Sequence, residues 1–265
     1  MQNRQQRASS AAASFARGFR RHLKWIWLEH GTWATLWTTF GFGVLVAWPP
    51  AWATAATLAG LSCLAAAKVL AVRIHRGQVS RWVPVGWLLA GAAALLPVLI
   101  SAPLFVAAVG AAGAAFLAVY FRGSSDPRWT RTLPVELVGV VLMSAAAGFA
   151  VLASRPDAVT QAILAWATSA VLFVPGVPRA KLLKARTPGL RAMLLGVGLL
   201  GAAAIVLLAL SGRIPWWGAL AGLVFLGDLR AAVLTPRIKT RRLGMVLTLR
   251  NAAAALLLGL TWRPF

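Results

Sequence analysis

The chain has 265 residues, 60% of them hydrophobic, with a mean hydropathy of +0.76, values that exclude an ordinary water-soluble domain. Lys and Arg number 27 against 5 Asp and Glu. Such an excess fits nucleic acid, anionic lipid or membrane topology, and the placement of the charges decides among them.

The first 28 residues form a basic tail containing Ser and Ala, expected to lie on the cytoplasmic membrane surface. FRRHLKW loosely resembles a twin-arginine signal, and AWATA at 51–55 offers a small-residue cleavage pattern. Both are rejected. The first apolar run is rich in Trp, lacks a short h-region and opens a series of further runs, so an uncleaved first helix is expected.

Apolar runs follow at 32–48, 51–72, 82–100, 102–121, 133–153, 158–176, 190–211, 214–234 and 244–262. Each is about 17–22 residues, enough to cross a hydrocarbon core, so residues 29–265 read as an all-α polytopic membrane bundle of about nine transmembrane helices. The connections alternate in charge. The tail to Lys24, Arg73–Arg81, Arg122–Arg131, Arg179–Arg191 and Arg237–Arg242 are basic, whereas the turns at Pro49-Pro50, Ser101, Arg155 and Arg213 are short and nearly uncharged. The positive-inside rule then places the N-terminus and loops 73–81, 122–132, 177–190 and 236–243 in the cytoplasm and the C-terminus outside, in the inner (plasma) membrane. Topology and anionic inner-leaflet lipid account for most of the net charge of +22, and no nucleic-acid partner is needed.

Gly and Ala crowd the runs, as in LLGVGLLGAAA and VGAAGAAF, so helices are expected to pack closely. Trp48, Trp52, Trp82, Trp216, Trp217 and Trp262 fall near run ends, where indoles favour the membrane interface. No metal or cofactor is expected. Cys63 is the single cysteine, His22, His30 and His75 are far apart, and no Walker loop, GxGxxG after a strand or HExxH occurs.

The informative residues are the charges within or beside the runs, and all fall toward the cytoplasmic side. Glu29 and His30 open the first run, on a stripe with Trp33 and Trp37. Lys68 lies a turn from Arg73 in the second, and Glu136 begins the fifth. Asp228 and Arg230 lie in the eighth and Arg250-Asn251 in the ninth. Glu29 and Glu136 also suit helix N-termini, Lys68 can snorkel, and Arg230 can reach lipid phosphates. Asp228 and Arg250 are harder to explain that way, because an ionised group deep in a span costs about 2.5–3.5 kcal/mol on insertion scales and usually faces a partner. The short connection between runs eight and nine makes them an antiparallel hairpin with Asp228 and Arg250 at matching depth, so an ion pair is expected, with Arg230 and Asn251 as further donors around the carboxylate or a ligand.

EHGTWATL resembles the opening motif of the YwiC-like integral membrane proteins, FVPGVPRAKLLKAR is similar to their basic loop after span six, and LRAAVLTPRIKTRRLGMVLTLRNAA resembles their last helical pair. That family looks distantly related to UbiA-type intramembrane prenyltransferases, which implies helices around a cavity open toward lipid and cytoplasm. Those enzymes hold Mg²⁺ and a prenyl pyrophosphate on Asp-rich inner loops, but AVRIHRGQ and VPRAKLLKART contain no acid. These loops therefore cannot hold Mg²⁺, while Arg73, Arg76, Arg179, Lys181 and Lys184 can bind phosphate directly or serve topology alone.

Three function classes follow. The chain binds a phosphorylated amphiphile, as a binding module or a metal-independent transferase, through Glu29, His30, Trp33, Lys68, Arg73, Glu136, Arg179, Lys181, Asp228, Arg230, Arg250 and Asn251 beside membrane lipid. Alternatively it is a small-molecule or proton-coupled transporter using Glu29, His30, Asp228 and Arg250, for which broken helices at the midplane would speak, or a membrane scaffold. The first class is preferred, because the resemblance and the basic loops agree.

Overall fold

The computed structural model describes residues 30–74, 79–80, 82–122, 132–183, 187–234 and 240–263. They are helical almost throughout, with no strand among them. In chain order the helices are α1 (His30–Val46), α2 (Trp52–Ile74), α3 (Trp82–Ala94), α4 (Leu96–Ser101), α5 (Pro103–Arg122), α6 (Leu133–Ser144), α7 (Ala146–Ser154), α8 (Val159–Phe173), α9 (Gly176–Leu182), α10 (Pro188–Leu210), α11 (Leu223–Leu234) and α12 (Thr240–Thr261), and a 3-10 turn at Trp216–Gly222 leads into α11.

Joined across their bends, these helices form nine segments among the described residues, one for each apolar run. Seven are long and apolar enough to cross a membrane, and the apolar stretches Trp33–Val46 and Trp82–Ala94 are shorter. The chain is therefore a polytopic helical membrane protein.

Three bends have local causes. Pro97, in the first turn of α4, has no N–H to give to the preceding turn. At the α6–α7 junction Ser144 Oγ donates to Val140 O at 2.9 Å, and Ala145 N turns to Leu142 O at 3.1 Å, a tighter bond that bends the helix. At Val174-Pro175 the proline bends segment six, and α9 continues it to Leu182 because Val177, Pro178 and Leu182 keep a buried face. This corrects the expected loop at 177–190, which narrows to the few residues between Leu182 and Pro188. Thr187 accepts from Leu190 N at 3.4 Å, and with Pro188 it starts α10 where the sequence has left the helix.

The bundle is organised around α1 and α7. Every residue of α7 from Ala146 to Ala153 is buried, and α1 packs against α7, α8 and α12. Glycine permits the α1–α7 contact, since a Cβ on Gly43 would overlap the backbone of Ala147. Likewise α2 and α3 cross where a Cβ on Gly60 or on Gly91 would come within 3.0 Å of the other's carbonyl oxygen. At the opposite extreme, only 6% of the Pro103–Tyr120 span is buried against 56% of Leu133–Ser154, so α5 is peripheral.

Side chains bring alternate segment ends together. Arg155 donates to Trp48 O at 2.8 Å, Gln161 Nε2 to Val46 O at 3.4 Å, and Thr54 and Ser154 share a hydrogen bond of 3.0 Å. Arg263 N bonds to Arg213 O at 2.7 Å at this same end. Here Trp262 departs from the expected interfacial position. It is buried and meets Phe42 edge-to-face at 5.7 Å, whereas Trp48, Trp52, Trp82, Trp216 and Trp217 are exposed.

Close approach at Gly43 and open surface at Gly110 predict opposite responses to a methyl group. Gly43→Ala is expected to destabilise the detergent-solubilised protein by about 1–3 kcal/mol through overpacking. Gly110→Ala, with nothing within 4 Å of its Cβ, should leave stability unchanged or slightly raised. Thermal unfolding of the two variants side by side checks this.

Candidate functional site

At the end opposite Trp48 and Arg155, segments six, eight and nine meet around one carboxylate. Asp228 on α11 is fully buried, and its Oδ1 accepts from Arg250 Nη1 at 2.7 Å and from Arg179 Nη1 at 2.9 Å. Helical side chains tilt toward their own helix N-terminus, and that tilt makes the meeting possible. Asp228 is about 9 Å from the end of α11 and Arg250 about 15 Å from the start of α12, at 1.5 Å per residue. Asp228 leans inward and Arg250 outward, so the two converge, while Arg179 on α9 leans inward to meet them. Both guanidiniums pass over Gly227, whose Cβ would stand 3.5 Å from Arg179 Nη1 and 3.8 Å from Arg250 Nη1.

The expected Asp228–Arg250 pair is present, but its surroundings differ from expectation in two respects. Arg230 is exposed on α11, because two residues along a helix turn it away from the Asp228 side; the second cation on the carboxylate is Arg179 instead. Asn251 is buried but does not donate to Asp228. Its Oδ1 accepts from Arg250 Nε at 3.0 Å and holds the guanidinium, whose Nη1 also donates to Val224 O at 3.0 Å.

A second ion pair lies on the other side of α9, where Lys181 Nζ reaches Glu136 Oε2 at 3.1 Å. Arg179 and Lys181 were expected as loop cations that bind phosphate directly or serve topology alone, and Glu136 as a ligand-side acid or a helix N-terminal charge, the latter fitting its place in the first turn of α6. Both cations are instead helical and committed to acids, so α9 is tied to α11 and α12 on one side and to α6 on the other. The sequence does carry a signal for this. The buried positions Val177, Pro178 and Leu182 continue a helical face past the run's apparent end, with Arg179 and Lys181 off that face.

The remaining candidates are dispersed. Trp33 faces the interior as expected, among Leu36, Phe40, Leu70 and Ala146, while Trp37, 5.6 Å away ring to ring, is exposed. α1 begins at His30; the His30 side chain and Glu29 lie outside the described residues. Lys68 and Arg73 are half-buried on α2.

The Asp228 cluster is incompletely satisfied. Asp228 Oδ2, Arg250 Nη2 and Arg179 Nε are buried with no hydrogen-bond partner among the described residues. Two guanidiniums, which keep their charge in proteins, face one carboxylate, so the site holds an excess of positive charge together with unused donors. Among the described residues no three His, Cys, Asp or Glu side chains come together to hold a metal ion. In comparisons with family models, curated proteins and solved structures, nothing matches this chain.

Removing the carboxylate from between two buried cations should cost about 3–5 kcal/mol, as in other buried pairs broken on one side. Asp228→Ala is therefore expected to be strongly destabilised in thermal unfolding. The triple change of Asp228, Arg179 and Arg250 to Leu, Met and Met should recover most of that loss, because no uncompensated charge remains. If the triple variant were no better than Asp228→Ala, the penalty would not arise from charge.

Proposed function

We propose that the chain binds the phosphate of an amphiphile at its basic end, as a membrane-embedded binding module with no metal between ligand and protein. The observation that carries this reading is the cluster in which Arg179 and Arg250 share a single oxygen of Asp228 and keep buried donors unused. Excess positive charge inside an apolar bundle is costly, and an anion offsets it where water, which satisfies single atoms, brings no charge. Guanidinium groups suit phosphate oxygens, and the acids nearest α9, Asp228 and Glu136, are already taken by cations and so are poorly placed to hold Mg²⁺. An amphiphile is the natural carrier, since the cluster sits within the apolar segments.

The same reading places the basic end in the cytoplasm of a plasma (inner) membrane, with nine crossings and the C-terminus outside. It is supported by the charge alternation along the sequence and by the grouping of alternate segment ends, the ion pairs at one end and Trp48, Arg155, Arg213 and Arg263 at the other. The similarity of EHGTWATL and FVPGVPRAKLLKAR to YwiC-like proteins, and through them to UbiA-type architecture, points the same way. Reporter fusions at Phe265 check the crossing number. An alkaline phosphatase fusion should be active and a fluorescent fusion dark, and the reverse result would exclude an odd count.

Lipid retention tests the binding. Mass spectrometry of the purified chain should find a phosphate-bearing amphiphile enriched over phosphatidylcholine. Arg179→Gln should lower its retention about tenfold, the worth of one charge-assisted hydrogen bond. Arg230→Gln, on the exposed side of the same hairpin, should leave retention unchanged, and neither EDTA nor added Mg²⁺ should alter it. Strict dependence on Mg²⁺ would overturn the metal-free reading.

A further inference from the structure

We propose that the group seated at the Arg179–Asp228–Arg250 cluster is a phosphomonoester that keeps one proton, and not a phosphodiester, a sulfate or a carboxylate; this rests on the anion-binding reading above. The argument starts from the two oxygens of Asp228, which have different surroundings. Oδ1 is saturated by two charge-assisted bonds, from Arg250 Nη1 at 2.7 Å and Arg179 Nη1 at 2.9 Å. Oδ2 is buried and accepts nothing among the described residues, while both arginines that donate to Oδ1 still hold buried N–H groups without an acceptor. Asn251 Oδ1 fixes Arg250 by Nε, leaving Nη2 as the free arm of its fork, and Arg179 has Nε free.

A ligand completing this arrangement must do two opposite things. It must bring a hydrogen to Oδ2, and it must bring negatively charged oxygens to Nη2 and Nε. A carboxylate is charged but has no hydrogen, and a carboxylic acid has the hydrogen but no charge. A sulfate monoester and a phosphodiester are ionised with no O–H, so one of their bare oxygens would face Oδ2. A singly ionised phosphomonoester carries one P–OH and two charged terminal oxygens on a single phosphorus. Its one negative charge also matches the excess of one cation over the carboxylate. Asp228 thus selects as well as supports, accepting from the P–OH while the arginines hold the other oxygens.

The test uses the full chain in nanodiscs of phosphatidylcholine doped with one of two probes that share the same acyl chains. Dioleoyl phosphatidic acid is a monoester, and dioleoyl phosphatidylmethanol is an anionic diester with no hydroxyl and no amine in its headgroup. Binding is read by competition against a fluorescent phosphatidic acid. Phosphatidic acid is expected to bind about tenfold tighter than phosphatidylmethanol, the worth of one added charge-assisted bond. Asp228→Asn, which can turn an amide N–H toward the ligand, should narrow or reverse the ratio, whereas Arg250→Gln should weaken both probes together. If the two lipids bind wild type equally, and both better than phosphatidylcholine, the anion site stands and the proton requirement is wrong. If neither exceeds phosphatidylcholine, the anion-binding reading itself fails. The wild-type ratio decides the matter even if the Asp228 variant does not fold.

Discussion

Burying an ionised carboxylate in an apolar bundle is costly unless cations come with it, and Asp228 has two. Because Arg179 and Arg250 arrive from different segments, one oxygen atom fixes three segments at one depth. The consequences reach outward through α9. Once Arg179 is held by Asp228, Lys181 two residues on is turned toward α6, where it meets Glu136 in that helix's first turn. The bent end of segment six is thereby held between the last hairpin and segment five by charge on both sides. Apolar contacts of Val177, Pro178 and Leu182 fill in beneath.

The two ends of the bundle are joined by different chemistry. At the Asp228 end, side chains pair with side chains of opposite charge. At the other end, charged and polar side chains donate to free carbonyls where helices stop: Arg155 to Trp48 O just past α1, and Gln161 to Val46 O in its last turn. These carbonyls have no helical partner, so the donors satisfy groups that would otherwise be left open. One end therefore concentrates formal charge, and the other neutralises backbone dipoles with few charges.

Much of this was legible in the sequence, and the failures have physical causes. Each of the nine apolar runs is a helical segment, because hydrophobic length dominates where the surrounding solvent is lipid. Boundaries were less secure. The run ending near residue 176 was cut short by the charges of Arg179 and Lys181, which belong to a helix once their partners on other segments are known. The Asp228–Arg250 pair followed from hairpin symmetry, a local constraint. Arg179 and Asp228 lie 49 residues apart on segments six and eight, and Lys181 meets Glu136 on segment five, so the choice of partner is not a local property of the sequence. Arg230, two residues from Asp228, points away from it and is exposed, which leaves it off the carboxylate and fits its alternative reading of reaching lipid phosphates.

The bends decide what kind of polar chemistry the interior offers. Transporters that coordinate cations within the membrane do so with unwound helix backbone, whose carbonyls point into the site. The bends differ in how far helical hydrogen bonding continues across them. Leu99 N reaches Leu95 O at 2.9 Å across Pro97, Ala145 N reaches Leu142 O at 3.1 Å beside Ser144, and beyond Pro175 the bonding resumes with Arg179 N to Pro175 O at 3.3 Å. The two prolines have no N–H for the carbonyls four residues before them, so Ala93 O and Val171 O lose that helical donor. What the Asp228 end presents instead is guanidinium N–H on rigid, ion-paired supports, held by Asn251 and by the Val224 carbonyl. These supports fix where the donors stand, and the surplus positive charge is fixed with them.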